Sequence, residues 1–498
     1  MEPKREILIV FVVFLFFQVI LLSFKILDYP LLGNLLINRI VGHSTCKDCN
    51  VILISLDTLS ANHLPCYGYK RNTAPNLCKF GEDNIMFTNS FSNASSTLPS
   101  HVSIFTGTYP NQHKVEPSER RSLPSSFPFL PEILQKNGYK TYLYMPTNDP
   151  NLPIDLVYNR GIDEITYAFH LKIDWTDGLT KLRENNAKGQ KTFLFLHTYW
   201  VHAPYLLENQ QRKIFTENDK KFYFSETQEQ VNACTSSFID YLGKSLNQDL
   251  ETSTFSGSEK QKEQYEDLYK ELLQSLERGT EIQFCNAKEH TELLNPYHAG
   301  YYQSLLETNT PENINHLRNL YDSKIVELDE YLKNAFAFIQ NSELKKNTII
   351  IVTADHGEEF MEHGHFEHVN NLYDTLLKVP LMMYIPGQKD KKIEQLAQSI
   401  DIVPTLLNIL KLKSHYTFPG SDLLMKNVAN IVKYIAAQDW GSKSGTIRDN
   451  EWKLFYQIKD GAPVGVHLFN YKKDPQEKND VIFINPTIVE RLLKNIPK

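Results

Sequence analysis

The chain has 498 residues, 41% of them hydrophobic, and its 52 basic and 59 acidic side chains leave a net charge of -7. That length supports a large buried core, organised as roughly two to four units, with room for an enclosed cleft. The acidic balance and the lack of a basic tract exclude a nucleic-acid backbone as a partner.

Lys4, Arg5 and Glu6 precede an apolar run from Ile7 to Phe24, broken only by Gln18 and Ser23. As a helix the run would span roughly 27 Å, close to a hydrocarbon core. A signal peptide would end in a small-residue cleavage site, and the following SFKILDYP offers none. Residues 1–25 are therefore read as an N-terminal transmembrane helix and uncleaved anchor, and residues 26–49 as a stalk. The basic end faces the cytoplasm, which makes this a single-pass protein of the cell membrane with the rest of the chain extracytoplasmic. Cysteines 46, 49, 66, 78, 234 and 285 then lie where disulfides persist. Spacing does not choose among their pairings. Cys46-Lys47-Asp48-Cys49 has no second CxxC, so it reads as a local disulfide or stalk thiols rather than half a zinc site.

From Asn50 the chain alternates apolar strands with helical segments. NVILISL ends on Asp57 and Thr58; KTFLFLHTYWVHAPY, 191–205, carries His197 and His202; TIIIVTADHG, 348–357, ends on Asp355 and His356, with Glu358 next; VPLMMYIPG, 379–387, is a fourth run. FPFLPEILQKNGY and HLRNLYDSKIVELDEYLKNAFAFIQ have helical spacing between them. The alternation predicts an α/β fold with a mostly parallel sheet over residues 50–415. Residues 206–295, rich in Gln, Glu, Lys and Ser, read as a helical surface insertion. From 416 to 498 short strands and turns suggest a small α+β subdomain.

Ends of parallel strands converge on one crevice, so Asp57, the Asp355-His356 pair, His197 and His202 are candidates for one site. Carboxylates and imidazoles at such a place suit calcium, magnesium, manganese or zinc. MEHGHFEH adds His363, His365 and His368, of which His363 and His365 are expected to bond locally. The hydroxyl-rich SSTLPSHVSIFTG, 95–107, would supply a nucleophile, since a cation or base lowers the pKa of a hydroxyl. The run by itself does not say which hydroxyl would react; Ser100, Ser103 and Thr106 would cap and pack a helix that begins after Pro99.

The collinear series VILISLDTLSANHLPCYGYKRNTAPNL, STLPSHVSIFTGTYPNQH, FLFLHTYWVHAPY, LYDSKIVELDEYL, NTIIIVTADHGEEFMEHGHFEH, LYDTLLKVPLMMYIPG and SIDIVPTLLNIL resembles the sulfatase family of the alkaline phosphatase superfamily. IRDNEWKLFY and HLFNYKKDPQEKND resemble that family's C-terminal subdomain. The resemblance implies an alkaline-phosphatase-like α/β/α sandwich and one divalent cation, usually calcium with manganese or zinc as alternatives, held by Asp57, Asp355 and His356. It implies contacts of His202 with the ester or leaving group and of His197 and His368 with substrate. A second ion at His202 and His368 would match phosphate-handling relatives. His101 would orient the nucleophile loop.

The family's modified cysteine and its arginine are replaced by Thr97 and His101, and Thr58 replaces a paired acid. Formylglycine cannot form from threonine, whereas threonine serves directly in phosphodiesterase and phosphotransferase relatives. The expectation is a metal-dependent hydrolase or transferase of phosphate or sulfate esters. Its substrate would be an anionic ester on a glycan, lipid headgroup or cell-envelope polymer. The alternatives are a formylglycine-independent sulfuric ester hydrolase and a catalytically silent anion- or glycan-binding protein.

Overall fold

The computed structural model describes residues 46–115, 122–146, 158, 160–168, 174–203, 205, 215, 310–368, 371–425, 434–438 and 443–497. The expected anchor, most of the expected stalk, the expected 206–295 insertion apart from residue 215, Cys234 and Cys285 lie outside them. Among the described residues no helix is long and apolar enough to cross a membrane.

Eight strands form the central sheet: β1 (Asn50–Leu56), β2 (Ile85–Phe87), β3 (Lys140–Pro146), β4 (Glu164–Ala168), β5 (Thr192–Thr198), β6 (Thr348–Thr353), β7 (Leu381–Tyr384) and β8 (Lys391–Ile393). Their order is β8-β2-β7-β6-β1-β5-β3-β4. β1 lies at the centre, with Leu53 level with Ile351 of β6 and Phe195 of β5. All of β1, β5 and β6 is buried, which is why these strands read as unbroken apolar runs rather than as alternating ones. The sheet is mostly parallel, as expected, but the strand at 379–387 is antiparallel to both neighbours. An apolar run buried on both faces carries no mark of strand direction.

Successive β1 residues face opposite layers. Val51 and Leu53 pack with Leu98, Val102 and Phe105 of α2 (Thr97–Thr106), Leu130 of α3 (Leu130–Lys136) and Val403 of α6 (Ile402–Leu410). Ile52, Ile54 and Leu56 pack with Leu77 of α1 (Pro75–Glu82), Leu182 of α4 (Thr176–Ala187) and the stripe Leu317, Tyr321, Ile325, Leu328, Leu332 of α5 (Pro311–Gln340). The result is a helix-sheet-helix sandwich. Helix α2 differs from expectation in beginning at Thr97, with Ser96 as its N-cap and Pro99 inside the first turn. Proline is tolerated there because first-turn N–H groups have no intrahelical partner. Gly107 ends the helix at φ 65°, where an added Cβ would stand 2.8 Å from the Phe418 ring.

Strands β9 (Ile435–Gln438), β10 (Ser444–Arg448), β11 (Trp452–Lys459) and β12 (Ala462–Asn470) form an antiparallel sheet covered by α7 (Pro486–Leu493). Its edge strand β9 meets the segment leading into α2, where Gln438 N–H donates to Asn93 O at 3.0 Å. Disulfides join Cys46 to Cys49 and Cys66 to Cys78.

Candidate active site

Asp57 follows β1 directly, Asp355 and His356 follow β6, and Thr97 opens α2, so the parallel topology and one helix start bring these four together. One ligand atom from each of Asp57, Asp355 and His356 lies within 4.8 Å of the others, and all three residues are buried. The Thr97 hydroxyl stands 3.3 Å from Asp57 Oδ2, to which it donates, and 3.3 Å from His356 Nε2. His356 Nδ1 lies 3.0 Å from Gly357 O, to which only an Nδ1–H can donate, so the neutral ring turns its Nε2 lone pair toward Thr97. Thr97 also sits at the positive end of the α2 dipole.

The loop that carries Asp57 is held under strain. Thr58 has φ 56°, a costly conformation for a β-branched residue. Its N–H points to Asp355 Oδ1 at 3.3 Å, and its carbonyl accepts from Tyr321 Oη at 2.6 Å. The same Tyr321 oxygen accepts from Ser60 N–H at 3.0 Å, so helix α5 clamps the turn beyond β1.

The donor set fits a divalent cation. Two carboxylates share a fully buried site, and Asp355 Oδ2 has no hydrogen-bond partner. Burial alone would raise the Asp355 carboxyl, but the surrounding His356, His101 and His197 outweigh it and hold it well below the ordinary range. Such crowding of buried anionic oxygen is costly without a positive counterpart.

The other predicted residues divide between two layers. His101 is fully buried on α2, its Nε2 2.9 Å from Ser55 Oγ, and burial pushes it down to about 3. It lies edge-on to His197 at 4.4 Å. His197 is also fully buried, with Nδ1 bonded to Ser55 O at 3.1 Å and Nε2 3.5 Å from Asp57 Oδ2. It packs against Asp57, whose carboxylate its Nε2 faces. His202 and His368 sit on the accessible side, ring centroids 5.0 Å apart, with His368 4.4 Å from His356. His202 Nδ1 bonds the carbonyl of Ala203, and burial, then the nearby His368, lowers its pKa.

Sequence reasoning noticed Glu358 but assigned it no role. Its carboxylate holds His368 Nδ1 at 2.9 Å and Tyr205 Oη at 2.9 Å, and burial pushes it up to about 7 against the pull of His202 and His356. The signal was its position two residues after His356 and the tyrosine three after His202. His363 bonds locally to Glu359 and to Gln476 O, stacked on Tyr373. His365 lies against the C-terminal sheet beside Phe455 and His467.

The family model described as Sulfatase matches residues 49–412. A relative, Arylsulfatase K of Gallus gallus, is 26% identical over 213 residues, 40% of this chain and 39% of that protein, so the matched segment spans well under half of the relative. Two solved structures share the fold. One is the Phosphonate Monoester Hydrolase of Agrobacterium radiobacter (TM-score 0.60, 17% identity, 90% of this chain and 95% of that one). The other is a protein in complex with its substrate D-glucosamine-2-N,6-O-disulfate (TM-score 0.59, 18% identity, 90% and 97%).

Proposed function

The chain belongs to the sulfatase family, and from that premise we propose that it cleaves or transfers a phosphate or sulfate ester group, with Thr97 as nucleophile. The observation that carries this reading is the Thr97 hydroxyl, 3.3 Å from both Asp57 Oδ2 and His356 Nε2 at the end of two parallel strands. Threonine cannot be converted to the formylglycine of the cysteine enzymes, so its own oxygen must attack.

Asp57, Asp355 and His356 would hold one divalent cation, calcium by family likeness, which when bound supplies Lewis-acid stabilisation of anionic oxygen. Asp57 Oδ2 already accepts the Thr97 proton and is placed to receive it as Oγ1 bonds to phosphorus or sulfur and the ester oxygen departs. The N-terminus of α2 faces the growing negative charge. His202 would contact the leaving or transferred group, with His368 beside it and held by Glu358. Water or an acceptor hydroxyl then takes the group from Thr97, regenerating its hydroxyl. His101 and His197 act from beneath, by fixing Ser55 and Asp57.

We further propose that the apolar run at residues 7–24 tethers the enzyme to a membrane with the site on the outer side, where an anionic ester on a glycan, lipid headgroup or envelope polymer would reach it. The full chain assayed with an aryl phosphate, an aryl phosphodiester and an aryl sulfate tests the chemistry. Turnover that disappears on chelation and returns with a divalent ion supports it. Metal-dependent binding of inorganic phosphate or sulfate with no turnover of any of the three would favour a silent binding protein instead.

A further inference from the structure

Away from the catalytic cluster, a cavity of about 520 Å³ lies where the C-terminal sheet meets the central body. Asn62, Phe91, Lys378, Arg448, Asn450 and Tyr471 line it, and none of them belongs to the site around Thr97. Beneath it Arg448 at the end of β10 and Lys453 of β11 converge on Asp374: Arg448 Nη1 lies 2.8 and 2.9 Å from the two carboxylate oxygens and Lys453 Nζ 2.7 Å from Oδ1. Lys453 also pairs with Glu477 at 2.6 Å. Asp449, the next residue after Arg448, is occupied by Arg491 at 2.6 Å.

The charges in this floor do not balance. Arg448, Lys453 and Lys378 stand against two carboxylates, Asp374 and Glu477. Arg448 is 3% exposed and lies between the rings of Phe91 and Tyr471, 3.8 and 4.1 Å from its Cζ, yet its Nε and Nη2 donate to no acceptor. Half-buried Lys378 has no ion pair or hydrogen bond of its own side chain among the described residues. A buried positive charge without a counter-ion is expensive, and charge-assisted bonds to an oxyanion are the strong remedy. At the rim exposed Lys472 and Glu394 offset one another, so the excess comes from the floor. The volume lies within the range of small-molecule sites.

We propose that this cavity is a second oxyanion-binding site, in which Lys378, backed by Arg448, receives a carboxylate, sulfate or phosphate group carried by a small ligand, with the amides of Asn62 and Asn450 as additional donors. Burial lowers the Lys378 ammonium from its ordinary range, with Asp374 opposing that shift and Arg448 adding to it.

Acetylation of the Lys378 amine supplies the test, which needs no turnover. The full-length chain is labelled with a trace of acetic anhydride in sulfate, phosphate or acetate, each against chloride at matched ionic strength, and the Lys378 peptide is compared with that of exposed Lys79. At an anion concentration about twice the dissociation constant, labelling of Lys378 falls about threefold with Lys79 unchanged. Which of the three salts protects best identifies the group the ligand carries. Protection persists in the Asp355→Asn protein, since that carboxylate belongs to the catalytic cluster. Labelling of Lys378 that is no slower in any oxyanion than in chloride overturns the proposal. So does protection lost in Asp355→Asn, which would place the bound anion at Thr97.

Discussion

Tyr321 shows how single residues set this site. Its one oxygen bonds both Thr58 O and Ser60 N–H, which fixes the strained turn carrying Asp57. Tyr321→Phe leaves both backbone groups buried without their partner, at a cost of about 1–3 kcal/mol. Denaturant unfolding should show that loss, and kcat should fall more than KM rises, because Asp57 loses its fixed position. Asp57, Asp355 and His356 could be chosen from the sequence because they follow apolar runs, and Thr97 was singled out among its neighbouring hydroxyls by the family resemblance. The depth of His101 and His197 could not. His197 closes the apolar run FLFL and His101 lies in the small and apolar α2, and a strand end shows which residues converge without showing how deeply each is buried. Glu358 was visible by its spacing from His356, but its partners His368 and Tyr205 are brought to it by the fold.

Helix α2 carries Thr97 and is buried along its whole length, an outcome of its small and apolar composition, TLPSHVSIFT. The turn after it is pinned by His113, whose Nε2 meets Ser103 Oγ at 3.1 Å while Nδ1 accepts from Val115 N–H at 3.1 Å. Burial pushes this imidazole down from 6.5 to about 3. The unfolded chain therefore takes up a proton below about pH 6.5 that the folded chain refuses, and stability falls with acid until about pH 3. From pH 6.5 to pH 5 this one group removes about 2 kcal/mol. In His113→Gln the decline in unfolding free energy over that interval should be shallower by about that amount. The strands were legible as apolar runs and α5 as a stripe of three- and four-residue spacing. The reversal of β7 was not, because the direction of a buried strand is decided by its connections. Nor was the start of α2, where proline in a first turn and proline ahead of a helix give the same local sequence.

At the scale of the whole molecule, the C-terminal sheet is fastened to the central body through Asp374, which receives Arg448 and Lys453 in a buried cluster. Asp374→Asn leaves buried Arg448 without its counter-charge and Lys453 with Glu477 alone, and should cost about 3–5 kcal/mol. Its unfolding should split into two transitions as the C-terminal sheet releases first, and single-transition unfolding of this variant would contradict that picture. The collinear motifs made the family readable over the residues that the family model later matched. The knot itself was hidden, since its members are 74 and 79 residues apart in the chain and no local pattern joins them.

Thr97 is the central claim, and trapping its ester tests it most directly. The full chain is quenched during turnover of an aryl phosphate or aryl sulfate, digested, and the peptide spanning Thr97 is examined by mass spectrometry. The account predicts a phosphoryl or sulfuryl group on Thr97 that needs substrate and divalent ion, together with loss of turnover in Thr97→Ala and partial retention in Thr97→Ser. Undiminished turnover by Thr97→Ala, or a covalent intermediate on another residue, would contradict it.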